Sequence, residues 1–310
     1  DASGNLSYVS TGEASTRYTS AEAWSAHFTD DMSIGDLVVS PGVRIEDYKI
    51  EREGSDDKVA DEQVTLFGLG TTYQVSSNLA AFAGIHEGHS PAPNDSESNP
   101  EEAVNAEVGA RFNSEALQAE ATLFLSDYSN LLGACTASGG AGDCNIGDTK
   151  NGGAATVQGL ELLANTQREL AGGYSLPLGA TYTYTDAEFD NSFSDNSGVW
   201  GDVTKGDKLP NLSDHQLQLR AGLAKEQWGL DFKVSYFSET CSTAACATDE
   251  EIDAYTVIDL ASRYQLSNTT KVYANVDNLL DAEDVVARAP KNGARAQKPL
   301  TLIVGVSHNF

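Results

Sequence analysis

Residues 300–310 read LTLIVGVSHNF. Leu300, Leu302, Val304, Val306 and His308 fall on one set of alternate positions, with Thr301, Ile303, Gly305, Ser307 and Asn309 between them. Successive side chains of a β-strand point to opposite faces, so this period of two describes a strand with one apolar and one mostly polar face, followed by Phe310. An acidic soluble protein rarely leaves such a strand exposed at its end. A membrane-spanning β-barrel requires one, because each strand turns alternate residues to lipid and to an aqueous interior.

The same alternation recurs upstream. Trp228, Leu230, Phe232, Val234 and Tyr236 alternate with Gly229, Asp231, Lys233 and Ser235. Segments 104–112, 117–125, 176–185 and 217–223 repeat the pattern, and charged residues such as Glu107, Arg111, Glu120 and Arg220 fall among the intervening positions. Charges on the inner face of a soluble sandwich would cost several kcal/mol unless paired. In a water-filled barrel they are solvated and the apolar face is the buried one. Trp228, Tyr182, Tyr184 and Tyr236 match the aromatic girdles at membrane interfaces.

Composition is consistent with this. The hydrophobic fraction is 40%, the mean hydropathy is −0.33, and no run approaches the roughly 20 apolar residues of a membrane helix. Barrel strands escape that test. Nineteen Lys and Arg against 46 Asp and Glu give a formal charge of −27, which argues against nucleic acid as a partner. The one Met is Met32, so Asp1 is not a natural start.

Connectors alternate in length. Short turns (QVSSN, FNSEA, AKEQWG, QLSNTT) alternate with long segments near 51–62, 88–102, 132–153, 187–213, 239–253 and 281–297, rich in Gly, Ser, Asn, Asp and Pro. Outer-membrane barrels have short periplasmic turns and long extracellular loops. About thirteen strands result, near 16–30, 35–50, 62–75, 78–90, 103–114, 116–131, 154–168, 173–187, 213–225, 227–239, 252–266, 270–280 and 297–310. Bacterial single-chain barrels have even strand numbers. The expected fold is therefore all-β, an antiparallel transmembrane β-barrel in part, with residues 1–310 its C-terminal portion. The close pairs Cys135/Cys144 and Cys241/Cys246 lie in two of the long segments. They favour disulfides and an oxidising compartment; metal binding is the weaker reading, since neither spacing is CxxC and no His is near.

Several stretches carry a family resemblance. NPEEAVNAEVGARFNSEALQAEATLF (99–124) resembles a mid-barrel hairpin of TonB-dependent outer-membrane receptors, and Gly159-Leu160-Glu161 a recurrent motif of the next strand. AYTVIDLASRYQLSNTTKVYANVDNLLD (254–281) is similar to the family's Tyr-x-Val-x-Asp … Asn-Leu-Phe-Asp run, with Leu280 in place of Phe. Residues 290–310 resemble its closing loop and final strand. Residues 80–94, AAFAGIHEGHSPAPN, most resemble the ferric citrate and related iron-chelate receptors, with His89 where an aromatic is usual. The resemblance implies a 22-strand barrel whose strand ten would be the first here. It also implies an N-terminal plug absent from these residues, energy from the inner-membrane TonB complex, and no enzymatic chemistry. Phe310 then looks like part of the signal read by the barrel-assembly machinery.

Candidate binding residues follow. His86 and His89 share a strand but alternate in facing, so they form no HExxH-like zinc pair; each is a candidate contact for ligand or a rim residue. Arg288, Lys291, Arg295 and Lys298 gather in the last long segment, and Lys205 and Lys208 in another. Guanidinium and ammonium groups suit an anionic ferric chelate; the alternatives are nearby carboxylates or lipopolysaccharide phosphates. The acidic segments SDDKVADE, NDSESNPEE and TDEEID are solvated loops, with no EF-hand spacing. No resident metal or cofactor is expected, and no nucleophile motif points to catalysis. The expected partners are a ferric chelate, the TonB complex, outer-membrane lipid and lipopolysaccharide. A passive porin, an adhesion barrel, a cobalamin receptor and a soluble secreted β-protein are the alternatives.

Overall fold

A computed structural model describes residues 18–53, 58–92, 98–134, 149–195, 200–288 and 293–310. One antiparallel sheet runs through them, each long strand paired with the next in the chain. Its strands are β1 (Tyr18–Thr29), β2 (Leu37–Glu53), β3 (Lys58–Ser76), β4 (Leu79–Ser90), β5 (Glu101–Asn113), β6 (Leu117–Ser129) and β7 (Ala155–Leu170). They continue as β8 (Tyr174–Phe189), β9 (His215–Lys225), β10 (Trp228–Phe237), β11 (Tyr255–Gln265), β12 (Thr270–Asp277) and β13 (Thr301–His308). A short segment, Met32–Ile34, pairs back onto the start of β2. β1 and β13 do not pair with each other, so the barrel wall is open.

The register makes the alternation a property of the whole sheet. Val306, Val272, Tyr264, Trp228 and Lys225 follow one another across β13 to β9, each paired with the next. Val304, Ala274, Ser262, Leu230 and Leu223 form the next row. Leu160 lies between Tyr184 and Leu123, and Leu123 opposite Val108. This face carries Val304, Val306 and Leu302 at 61–68% exposure in the isolated chain. On β10 the outward residues Trp228 to Tyr236 span roughly 27 Å of strand, or about 20 Å along the membrane normal at the usual tilt. That is near the ~25 Å apolar band of outer-membrane barrels.

The opposite face is polar and ion-paired. Arg111 Nε bonds Glu120 Oε2 at 2.6 Å, Arg220 Nη2 bonds Asp231 Oδ1 at 2.8 Å, and Lys233 Nζ bonds Asp259 Oδ2 at 2.8 Å. The lumen charges thus pair with each other, as an aqueous interior permits. Close contacts between side chain and backbone also set this face. A Cβ on Gly305 would lie 2.3 Å from the Tyr273 ring, and one on Gly159 would lie 2.0 Å from the Tyr184 carbonyl and 2.6 Å from the Phe124 ring. Glycine at these positions lets an aromatic ring lie flat across the neighbouring strand.

Among the described residues no apolar core separates two sheets. The buried hydrophobic cluster, Ala155, Phe189, Val203 and Ala244, sits at the long-loop end. The expected strands are present with ends displaced by a few residues, and one expected loop is largely strand. Residues 51–53 continue β2 and residues 58–62 open β3, paired from Glu51↔Val59 to Lys49↔Asp61. Charges stand side by side there, as in Glu51-Arg52-Glu53 and Asp61-Glu62, and Lys49 Nζ bonds Glu51 Oε1 at 2.5 Å. A strand extending beyond the membrane needs no apolar face, so polarity alone did not mark its end.

Candidate functional site

The long connections come together at one end of the sheet, and four of them form small hairpins of their own. These are Leu132–Ala134 with Thr149–Asn151, Phe193–Asp195 with Gly201–Val203, Thr240–Cys241 with Glu251–Ile252, and Val285–Arg288 with Ala294–Ala296.

They are also bonded to one another. Asn151 Nδ2 donates to the carbonyls of Asn99 (2.9 Å) and Asn130 (3.1 Å), while the Asn99 N–H donates to Asn151 Oδ1 at 2.7 Å. Asn191 Oδ1 accepts from the Ala154 N–H, and Trp200 Nε1 donates to the Lys150 carbonyl. Trp200 and Phe193 each pack edge-on against Phe189 at 5.7 Å. The Asn211 N–H donates to the Cys241 carbonyl, Thr240 Oγ1 to that of Leu212, and Arg288 Nε to that of Glu251 at 2.7 Å. Five successive long connections therefore form one cross-braced layer.

Within it, Cys241 and Cys246 form a disulfide with Cα atoms 5.4 Å apart. Cys135 and Cys144 lie outside the described residues. The carboxylate of Glu250, at 4% exposure, accepts from Thr243 Oγ1 and the Ala247 N–H, so one acidic residue of TDEEID is an internal brace.

The sequence-selected residues are dispersed. His86 faces the lumen on β4 opposite Asn105 and is exposed. The His89 side chain is 3% exposed, with Nε2 2.9 Å from Tyr48 Oη and 3.6 Å from Glu62 Oε2. Tyr48 in turn donates to Glu62 at 2.5 Å. β3 and β4 stop pairing at Gly68↔His86. Beyond that point the Phe67 N–H donates to Glu87 Oε2 (2.9 Å), and a cleft of about 360 Å³ opens beside Leu66, Glu87, His89, Glu102 and Asp127. Among the described residues no group of three or more His, Cys, Asp or Glu is arranged to hold a metal ion.

Lys205 is exposed in the 190–214 connection. Lys208 bonds Asp186 and lies 3.6 Å from both Glu188 and Asp214. Burial of its stem opposes the charged form, but the three carboxylates prevail and raise its pKa above the ordinary lysine value. Arg288 and Arg295 lie on paired strands of the last hairpin, but in register each is opposite an alanine, Ala294 and Ala287, so they take opposite faces. Lys291 lies outside the described residues. Lys298 is drawn to the sheet, bonding Asp277 at 2.5 Å.

Sequence reasoning passed over Asn278. It is 2% exposed, and its carboxamide bonds the Ala282 carbonyl (3.0 Å), the Lys298 carbonyl (2.9 Å) and the Ala282 N–H (3.0 Å). It fastens both ends of the last long connection. The Asn-Leu-Leu-Asp run was the available signal, since Asp281 Oδ1 accepts from the Leu300 N–H in the same closure.

The family description "TonB dependent receptor-like, beta-barrel" matches residues 1–279. The vitamin B12 transporter BtuB of Photobacterium profundum is 25% identical over 264 residues, covering 80% of this chain and 39% of that protein. Among solved structures, the siderophore receptor PiuA from Acinetobacter baumannii superposes with a TM-score of 0.77 at 19% identity, covering 94% of this chain and 43% of its own. The ferric citrate transporter FecA in its unliganded form gives 0.76 at 19% identity, covering 100% and 48%. The chain thus spans less than half the length of each of these relatives. With the family matched over most of the chain and its two-faced antiparallel sheet shared with solved receptors, the chain belongs to the TonB-dependent receptor β-barrel family of the bacterial outer membrane.

Proposed function

We propose that these residues form the C-terminal barrel section of an outer-membrane receptor that binds a ferric chelate at its outer loops and imports it with energy from the TonB complex. A plug encoded upstream would fill the lumen, and Phe310, exposed beyond β13, would serve the barrel-assembly machinery. The observation that carries the ligand class is the Arg288 guanidinium on the last outer hairpin of a chain with net charge −27. Arg288 spends one N–H on the Glu251 carbonyl, leaving donors suited to a carboxylate-rich anion. The likeness of residues 80–94 to iron-chelate receptors supports the same class. The 25% identity to a vitamin B12 transporter favours cobalamin as the second reading.

The test is uptake of radiolabelled ferric citrate and, separately, radiolabelled cyanocobalamin by cells whose only receptor is the full-length protein, with and without a protonophore. Ferric citrate uptake abolished by the protonophore is the expected result, and the Arg288→Ala/Lys291→Ala/Arg295→Ala variant should lose binding at least tenfold. Cyanocobalamin uptake alone replaces the ligand class. Uptake indifferent to the protonophore points to a passive pore.

A further inference from the structure

The outward face is electrically lopsided. Toward the long loops its register positions include Asp47, Glu87, Glu102, Asp127 and Asp186, and the cations there are taken: Lys49 by Glu51, Lys208 by Asp186. At the short-turn end the outward cations are Arg168 on β7 and Lys225 on β9, and neither makes an ion pair or hydrogen bond within the described residues. In a chain carrying 46 carboxylates, two neighbouring unneutralised cations are unusual. They flank one strand: Arg168 is opposite Leu176, and Lys225 Nζ lies 4.8 Å above the ring of Tyr174. Tyr174 meets Trp228 edge-on at 6.1 Å, and Trp228 continues in register to Tyr264 and Val272.

Beside this cluster lies a groove of about 440 Å³ with Ser262 and Ala274 in its floor and Trp228, Leu230, Tyr264 and Val304 around it. The small residues lower the floor while the aromatics rise at the interfacial edge. The groove opens into the apolar band, at a depth reached by acyl chains, and the cations lie at the level of headgroups. Tyr and Trp in such a belt sit where hydrocarbon meets polar headgroups.

The geometry points to a binding site for an anionic phospholipid of the inner leaflet: Arg168 and Lys225 hold its phosphodiester, Trp228 and Tyr264 border the glycerol region, and the groove takes an acyl chain. Charge complementarity selects the headgroup. Short turns mark the periplasmic side of these barrels, so the leaflet is the phospholipid one. The apolar groove selects a lipid over free phosphate.

The test is native mass spectrometry of the full-length receptor released from mild detergent after incubation with equimolar phosphatidylglycerol and phosphatidylethanolamine. Wild type should retain one phosphatidylglycerol in preference to phosphatidylethanolamine. In Arg168→Gln/Lys225→Gln that preference should fall about thirtyfold, the scale of two basic contacts to an anionic lipid surface. Arg168→Lys/Lys225→Arg should keep it. All three proteins should show the same heat-dependent gel shift of a folded barrel; if the Gln variant does not fold, Trp228→Ala serves instead, keeping both charges and losing the lipid. Equal retention of phosphatidylglycerol by wild type and the Gln variant overturns the site. Displacement of the lipid by inorganic phosphate, or preferential retention of lipopolysaccharide, overturns the choice of ligand.

Discussion

Asn278 combines a left-handed backbone, φ 52°, with three side-chain hydrogen bonds in a site almost closed to solvent. Asparagine tolerates that backbone region better than most residues and carries both a donor and an acceptor on a short stem. Asn278→Ala leaves the two carbonyls and one N–H without these partners. It should cost about 3 kcal/mol, roughly one per bond lost, read as a lower detergent unfolding midpoint and earlier protease cleavage of the 278–300 connection. The DNLLD run was visible as a resemblance, but its bonding was not, because its partner Lys298 lies 20 residues on. Lys298 shows the same limit: grouped by sequence with the basic loop, it is bound in space to Asp277. Gly159 could be recognised as part of a motif, while its reason, a Tyr184 carbonyl and Phe124 ring on flanking strands, required the register.

Among elements, the 190–214 connection is held by Lys208, whose three carboxylate neighbours raise its pKa. A lysine whose folded pKa exceeds its unfolded value of 10.5 contributes its full effect below that value and loses it as pH rises through the folded pKa. Proteinase K nicking of this connection should therefore be flat from neutral pH to about 10 and rise above it. Lys208→Met should show raised nicking already at neutral pH. Long strands were legible because a two-residue period survives any sequence context. Their outer ends were not, since beyond the membrane the period no longer has to sort apolar from polar. The short hairpins within the long connections left no such trace: their strands are two to four residues long, too short for a period of two to show.

For the whole molecule, the thirteen-strand path and the opposed ends of short turns and long connections could be read from sequence, because both follow from crossing a slab of fixed thickness. The grouping of candidate ligand residues could not, since it depends on how loops distant in sequence pack. His89 turned to Tyr48 and Glu62, and the two arginines of the last hairpin took opposite faces. The cross-braced outer layer has a consequence for recognition by the outside world. Trp200, Asn151 and Asn191 join segments far apart in the chain, so the surface offered to an antibody or a phage is assembled from several loops at once. Antibodies raised against the intact receptor should bind whole cells yet fail on synthetic peptides of any single loop. Trp200→Ala should weaken whole-cell binding even by antibodies whose footprint lies on the Cys241–Cys246 loop, measured by flow cytometry at equal surface expression.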